Sequence, residues 1–184
     1  MKELKLTTTK TLMESKAENK EFDSYAVYVK IGEYESSFFS KNVNEDTYFD
    51  LASCGKVLVT SPLILQAVGK GLLSLESTIG EFFGNASEEK KSITVKQLLT
   101  HTSGIIRINL SAGVAKQGND AVAKEILEAP LAFIPGSDYA YSCNGMILLG
   151  FILEKIYGKS LENIFEEHLK KPLGYTRSKF NIYV

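Results

Sequence analysis

Phe49-Asp50-Leu51-Ala52-Ser53-Cys54-Gly55-Lys56 is the stretch whose reading decides the fold. It sets a hydroxyl and an amine three residues apart just where an apolar helical pattern begins. At i and i+3 on a helix the two side chains share a face and reach each other. A serine hydroxyl is a poor nucleophile at neutral pH. A lysine amine one turn away, kept neutral by desolvation, can accept its proton, and a helix N-terminus favours negative charge developing beside the serine. The spacing alone is a weak signal, because Ser87-Glu88-Glu89-Lys90 repeats it in a stretch polar enough to be a solvated turn. Context separates the two: Ser53 stands between Phe49-Asp50-Leu51-Ala52 and a long apolar run, which predicts a buried loop-to-helix junction where an unpaired lysine needs a chemical reason.

Downstream, Lys56 to Leu73 carries Val57, Leu58, Leu63, Ile64, Leu65, Val68 and Leu72, a set broad enough for a helix buried on most sides, with Gly71 near its end and Pro62 expected to kink it or shift its ladder. Thr94 can cap a short helix from Val95 to Thr100, stopped by Ser103-Gly104. Asp120 to Glu128 reads as a helix ended by Pro130, and Pro135-Gly136 as a turn. Asn144 to Tyr157 reads as an apolar helix closed by Gly158, and Leu161 to Leu169 as a helix capped by Ser160 and ended by Lys171-Pro172-Leu173-Gly174. Upstream, Tyr25, Val27, Val29 and Ile31 alternate with Ala26, Tyr28 and Lys30, a strand period; Gly32-Glu33 makes a turn, and Tyr34 to Ser40 returns as the second strand of a hairpin. No comparable strand signal occurs between Asp50 and Ser178. Residues 1–22 are polar and without a clear period, an N-terminal arm or helix.

Composition narrows the function. The chain has 184 residues, enough for one domain with its own core, and 21 Lys+Arg against 22 Asp+Glu leave a net charge of -1. No basic stripe is present to neutralise a run of phosphates, so nucleic acid is not an expected partner. No apolar run approaches the roughly 18 residues that span a bilayer, and the first 20 residues hold no apolar leader core. The chain as written is therefore expected in the cytoplasm, or outside it if a signal segment has been removed. Cys54 and Cys143 are too few for a disulfide framework and read as small buried residues rather than redox groups. His101 and His168 have no metal-ligand spacing to each other or to the cysteines, so neither a metal nor another cofactor is expected. His168, in Glu166-Glu167-His168, reads as a solvated helix position.

Phe49 to Lys56 is followed in order by Gly71-Leu72-Leu73-Ser74-Leu75, by Ile93-Thr94-Val95-Lys96-Gln97-Leu98-Leu99-Thr100-His101-Thr102-Ser103-Gly104, and by Pro135-Gly136. Tyr139-Ala140-Tyr141-Ser142-Cys143-Asn144, Leu148-Leu149-Gly150, Gly158-Lys159-Ser160-Leu161 and Pro172-Leu173-Gly174 continue the series. Over roughly residues 23 to 180 this order resembles the serine β-lactamase and penicillin-binding-protein superfamily, in its class C and DD-peptidase branch. The resemblance implies an α+β, β-lactamase/transpeptidase-like fold. Residues 23–184 would form a partial domain, with strands in 24–40 and a helical region over about 53–175.

The resemblance also implies roles. Ser53 matches the acyl-accepting nucleophile, Lys56 its general base or proton relay, and Tyr141 the tyrosine of the Y-x-N motif that moves the proton to and from the serine. The motif is broken here, with Cys143 where the family has Asn or Asp. In a second register Ser142-Cys143-Asn144 is an S-x-N, with Ser142 as proton carrier and Asn144 as ligand to the substrate amide; Ser142 and Asn144 are thus the substrate-binding candidates. The flanking Pro-Gly and Leu-Leu-Gly blocks are those of the tyrosine branch and favour Tyr141. Without the ordered blocks, Tyr139 and Tyr141 would read as core packing. His101-Thr102-Ser103-Gly104 belongs to the block that stops a helix, with His101 bonding nearby backbone. The third motif, K-[ST]-G or H-x-G, does not occur, so the chain looks like the N-terminal half of the fold, without the closing strands and the second oxyanion donor. Two functions compete. One is a serine hydrolase acting through an acyl-enzyme on a β-lactam, a D-Ala-D-Ala peptide or a small ester. The other is a non-catalytic binding or regulatory member, or an inactive fragment. Self-association, or association with a missing C-terminal segment, is expected from the apolar face that such a half would expose.

Overall fold

A computed structural model describes residues 2–180. The chain divides into two compact units, Met1–Asp50 and Leu51–Val184. In the first, the alternation after Ser24 becomes strand β2 (Ala26–Ile31), antiparallel to β3 (Tyr34–Phe39), with Ile31 opposite Tyr34 across the two-residue turn Gly32-Glu33. Gly32 sits at φ +58, a conformation that costs glycine little because it lacks a Cβ. A two-residue strand β1 (Lys2–Glu3) lies parallel to β3 on its other side, giving the order β1-β3-β2. The polar N-terminal segment forms helix α1 (Thr7–Glu18), which buries none of its residues. Tyr25 is buried edge-on between the rings of Phe22 and Phe38.

The second unit is helical, and its described residues form no named strand. Its core gathers on α7 (Cys143–Tyr157), which packs against α2 (Ser61–Gly69), α5 (Val95–Leu99), α6 (Asn119–Glu128) and α8 (Leu161–Phe165). Leu148, Leu149, Ile152 and Leu153 of α7 are fully buried, as are Leu63 and Ile64 of α2. Two short helices, α3 (Ile79–Phe82) and α4 (Glu88–Lys91), are additions to the expected set. The signal for α3 was Thr78-Ile79-Gly80-Glu81, where Thr78 and Glu81 bond reciprocally as a capping box. Thr94 and Gln97 do the same for α5.

The expected helix from Lys56 to Leu73 is a π-turn, Lys56–Thr60, running into α2, which Pro62 opens. Proline has no N–H for the carbonyl four residues back and its ring crowds that carbonyl. The widened turn, closed by Ser61 N–H to Lys56 O, absorbs the conflict without breaking the rod. The same device recurs where Lys171-Pro172 was expected to end the chain's last helix. There a π-turn at Glu166–Lys170 carries the rod on into α9 (Lys171–Leu173), and Gly174 at φ +67 ends it. His168 O, the carbonyl Pro172 cannot satisfy, accepts instead from Gln66 Nε2 at 3.0 Å. The expectation of burial on most sides is corrected for the first rod. Leu63, Ile64 and Ala67 face the core, while Val57, Leu58, Leu65 and, beyond the helix, Leu72 remain exposed.

Candidate active site

Ser53 enters on a tight turn in which Cys54 N–H bonds Leu51 O at 2.8 Å and Lys56 N–H bonds Ser53 O at 3.2 Å. The residue before it, Ala52, sits at φ +43, in the left-handed region that L side chains rarely adopt. From the first turn of the rod Lys56 sends Nζ to within 3.0 Å of Ser53 Oγ. Tyr141 arrives from the extended segment before α7 and puts its hydroxyl 2.9 Å from the same oxygen. Lys56 Nζ also lies 5.4 Å from the centre of the Tyr141 ring.

Two environmental expectations are corrected. Ser53 is exposed and Lys56 only half-buried, because Leu51 and Phe49 before them face solvent. Lys56 is also not a desolvated neutral amine. Its hydrogen bond with the Tyr141 hydroxyl pushes its pKa above the ordinary lysine value, burial pulls the other way, and the neighbouring Cys143 adds to the upward shift.

Tyr141 is held by its neighbours. Ser142 caps α7, its Oγ accepting from Gly145 N–H at 3.1 Å. His101, at φ +59 after α5, takes Ala140 N–H on its carbonyl at 3.0 Å and Ser142 N–H on Nδ1 at 3.2 Å. Its ring lies 4.7 Å from that of Tyr141 and 6.2 Å from that of Tyr139. Burial, and then the charge on Lys56, lower the pKa of His101 below the ordinary histidine value. The imidazole is therefore neutral at pH 7, and Nδ1 is free to accept.

Ser53, Lys56 and Tyr141 thus come together, whereas the groups of the second register do not join them. Ser142 is 1% exposed and spent on the cap; Asn144 is 3% exposed, and its Nδ2 donates to Ile106 O at 3.2 Å. The expected burial of the cysteines is corrected: Cys143 is half-buried beside Lys56, and Cys54, on the exposed turn that carries Ser53, faces solvent. The second S-x-x-K opens α4, where Lys90, expected in a solvated turn, is buried. His168 is half-buried rather than solvated, with its ring 4.8 Å from that of Tyr157 and Nδ1 3.2 Å from Lys70 Nζ. Sequence reasoning placed His101 at a helix stop, bonding nearby backbone; the backbone it bonds belongs to the tyrosine segment, up to 41 residues away, a contact with no local signature.

Beside Lys56 opens a cleft of about 390 Å³ walled by Val59, Cys143, Met146, Ile147 and Phe151. Among the described residues no group of three or more His, Cys, Asp or Glu is placed to hold a metal ion, and no helix is long and apolar enough to cross a membrane.

The family model described as β-lactamase matches residues 24–183. The chain is 27% identical over 148 residues to the "Putative D-alanyl-D-alanine carboxypeptidase" of Escherichia coli (strain K12), covering 73% of this chain and 34% of that one. Among solved structures, the β-lactamase/D-alanine carboxypeptidase from Pseudomonas syringae superposes with a TM-score of 0.83 at 20% identity, over 96% of this chain and 51% of that one. The octameric penicillin-binding-protein homologue from Pyrococcus abyssi superposes with a TM-score of 0.74 at 25% identity, over 97% and 45%. The chain thus spans about a third of the length of its curated relatives and about half of those solved structures.

Proposed function

The chain belongs to the β-lactamase family, and from that premise we propose that it is a serine acyl hydrolase that forms an acyl-enzyme on Ser53. The observation that carries this is the convergence of Lys56 Nζ and the Tyr141 hydroxyl on Ser53 Oγ, at 3.0 and 2.9 Å. Ser53 Oγ attacks the carbonyl carbon of a β-lactam, a D-Ala-D-Ala peptide or a small ester. The serine proton passes to the Lys56–Tyr141 couple and from there to the departing nitrogen or oxygen. The acyl group is left as an ester on Ser53, which water then cleaves. A cationic Lys56 has no lone pair for this proton, so acylation proceeds from the form of the couple that has shed one proton. Lys56 in its charged form steadies negative charge on the hydroxyl oxygens it touches.

A second reading, a binding or regulatory member without turnover, is favoured by one feature: Cys143 stands where the family that the chain resembles has Asn or Asp. Incubation with a fluorescent penicillin or a fluorophosphonate, followed by intact-mass measurement, separates the two. An adduct that disappears in Ser53→Ala supports the hydrolase; a folded protein that takes no adduct supports the second reading. Self-association belongs to the same proposal and is supported by the apolar side chains left exposed along the rod that carries Lys56.

A further inference from the structure

His101 brackets Tyr141. Its carbonyl holds the N–H of Ala140, its Nδ1 holds the N–H of Ser142, and its ring covers the phenol ring that lies between those two bonds. A backbone N–H can only donate, so Nδ1 must be the unprotonated nitrogen and Nε2 the protonated one. The residue adopts φ +59 to do this, a conformation histidine visits seldom. Tyr141 has no helix or strand of its own, since it stands in the extended run ahead of α7. Two backbone bonds on either side of it, both supplied by one residue, define where its hydroxyl falls.

We propose that His101 is the positioning residue of the site: its neutral imidazole fixes the Tyr141 segment so that the phenol hydroxyl meets Ser53 Oγ. This rests on the reading of Ser53 as nucleophile. The groups that face the imidazole are the Tyr139 and Tyr141 rings and the Lys56 ammonium. Protonating His101 removes the acceptor for Ser142 N–H and sets a second cation near Lys56. The Tyr141 segment then loses one of its two anchors, and the hydroxyl drifts from the serine. The acid side of the acylation profile should therefore fall with His101, separately from any effect of Lys56.

The test uses the whole chain and two substitutions. His101→Gly accepts the left-handed backbone without strain and removes only the ring; His101→Asn tolerates the same backbone and can return an acceptor to the place of Nδ1. Circular dichroism and thermal melting report that each folds. With a fluorescent penicillin, His101→Gly should acylate about 10- to 100-fold more slowly at saturating probe, the scale of a misplaced catalytic group, with half-saturation little changed. His101→Asn should recover most of the rate and lose the steeper fall that His101 adds on the acid side, leaving the slope set by Lys56, because an amide does not titrate. Wild-type rates in His101→Gly, or no recovery in a folded His101→Asn, would overturn the proposal. If His101→Gly does not fold, the acid side of His101→Asn decides alone: a profile that keeps only the slope set by Lys56 supports the proposal, and a fall as steep as the wild type's overturns it. Nitrogen NMR of the wild-type imidazole gives a readout that needs no catalysis: Nδ1 unprotonated at pH 7 and a Ser142 amide slow to exchange. If wild-type protein takes no adduct, the hydrolase reading fails. The NMR result then judges the positioning claim by itself, and a protonated Nδ1 at neutral pH sinks it.

Discussion

The hydroxyls of Ser53 and Tyr141 lie 2.9 Å apart although 88 residues separate them in the chain. The contact exists because two independent supports meet, the turn into the rod of α2 on one side and the cap of α7 on the other. Removing the Tyr141 oxygen alone tests what that contact does. Tyr141→Phe keeps the ring against His101 and so the segment's packing, while the serine loses one of its two polar neighbours. Acylation by a penicillin probe should fall by about 10² with thermal stability little changed. Equal rates in mutant and wild type would remove Tyr141 from the mechanism.

Lys56 sets the alkaline side. Its pKa is raised, chiefly by the Tyr141 hydroxyl, so its amine gains the lone pair needed to accept a proton only as pH climbs past the ordinary lysine range. The rate of Ser53 acylation should accordingly still be rising between pH 7 and 9. Lys56→Ala should lower the rate by about 10² or more and flatten that rise. A profile that is level from pH 6 to 9 in the wild type would contradict the assignment.

The core and the helix ends were open to reading because their signals are local. Thr94 with Gln97, Ser160 before Leu161 and Gly158 after Tyr157 each mark a boundary through a bond or a backbone angle within a few residues. Ser53 and Lys56 were legible for the same reason, since one helical turn brings them together. What escaped was long-range. Nothing near His101 announces that its ring meets residues 139–142, nothing near Lys90 says that its stem is buried, and the protonation of Lys56 depends on a tyrosine that only the folded chain supplies. Pro62 was read as shifting the helix ladder, which the π-turn does, whereas Pro172 was read as a stop, because the proline rule is local too. The π-turns that accommodate them depend on a rod whose other residues are already packed.

Gly104 stands at a close backbone approach to residues 131–133. It holds φ +76, its carbonyl receives Ala132 N–H at 2.9 Å, and a Cβ added there would stand 2.4 Å from Phe133 O. Backbone cannot yield as a side chain can. Gly104→Ala should cost about 2 kcal/mol or more from conformational strain together with the clash, read as a lower urea midpoint at an unchanged slope. An alanine variant as stable as the wild type would mean that residues 131–133 are held less firmly than their bond to Gly104 suggests.

Leu58, Leu65 and Leu72 recur every seven residues along the Lys56 rod and its exit, and all three are about half exposed. Leu58 in the π-turn and Leu65 in α2 both stand out from the rod, and Leu72 is exposed just beyond it. Apolar side chains exposed on the surface lower their free energy by meeting another apolar surface, and a second copy of the chain offers the same side chains. Sedimentation at micromolar concentration should show dimers or larger species. Leu65→Glu places a carboxylate where association would strip its water, at a cost of several kcal/mol if left unpaired, so it should shift the distribution toward monomer without lowering the melting temperature. Leu65→Met, which keeps the apolar surface, should associate as the wild type does. A wild-type chain that sediments as a single monomeric species would show that these exposed side chains do not drive self-association.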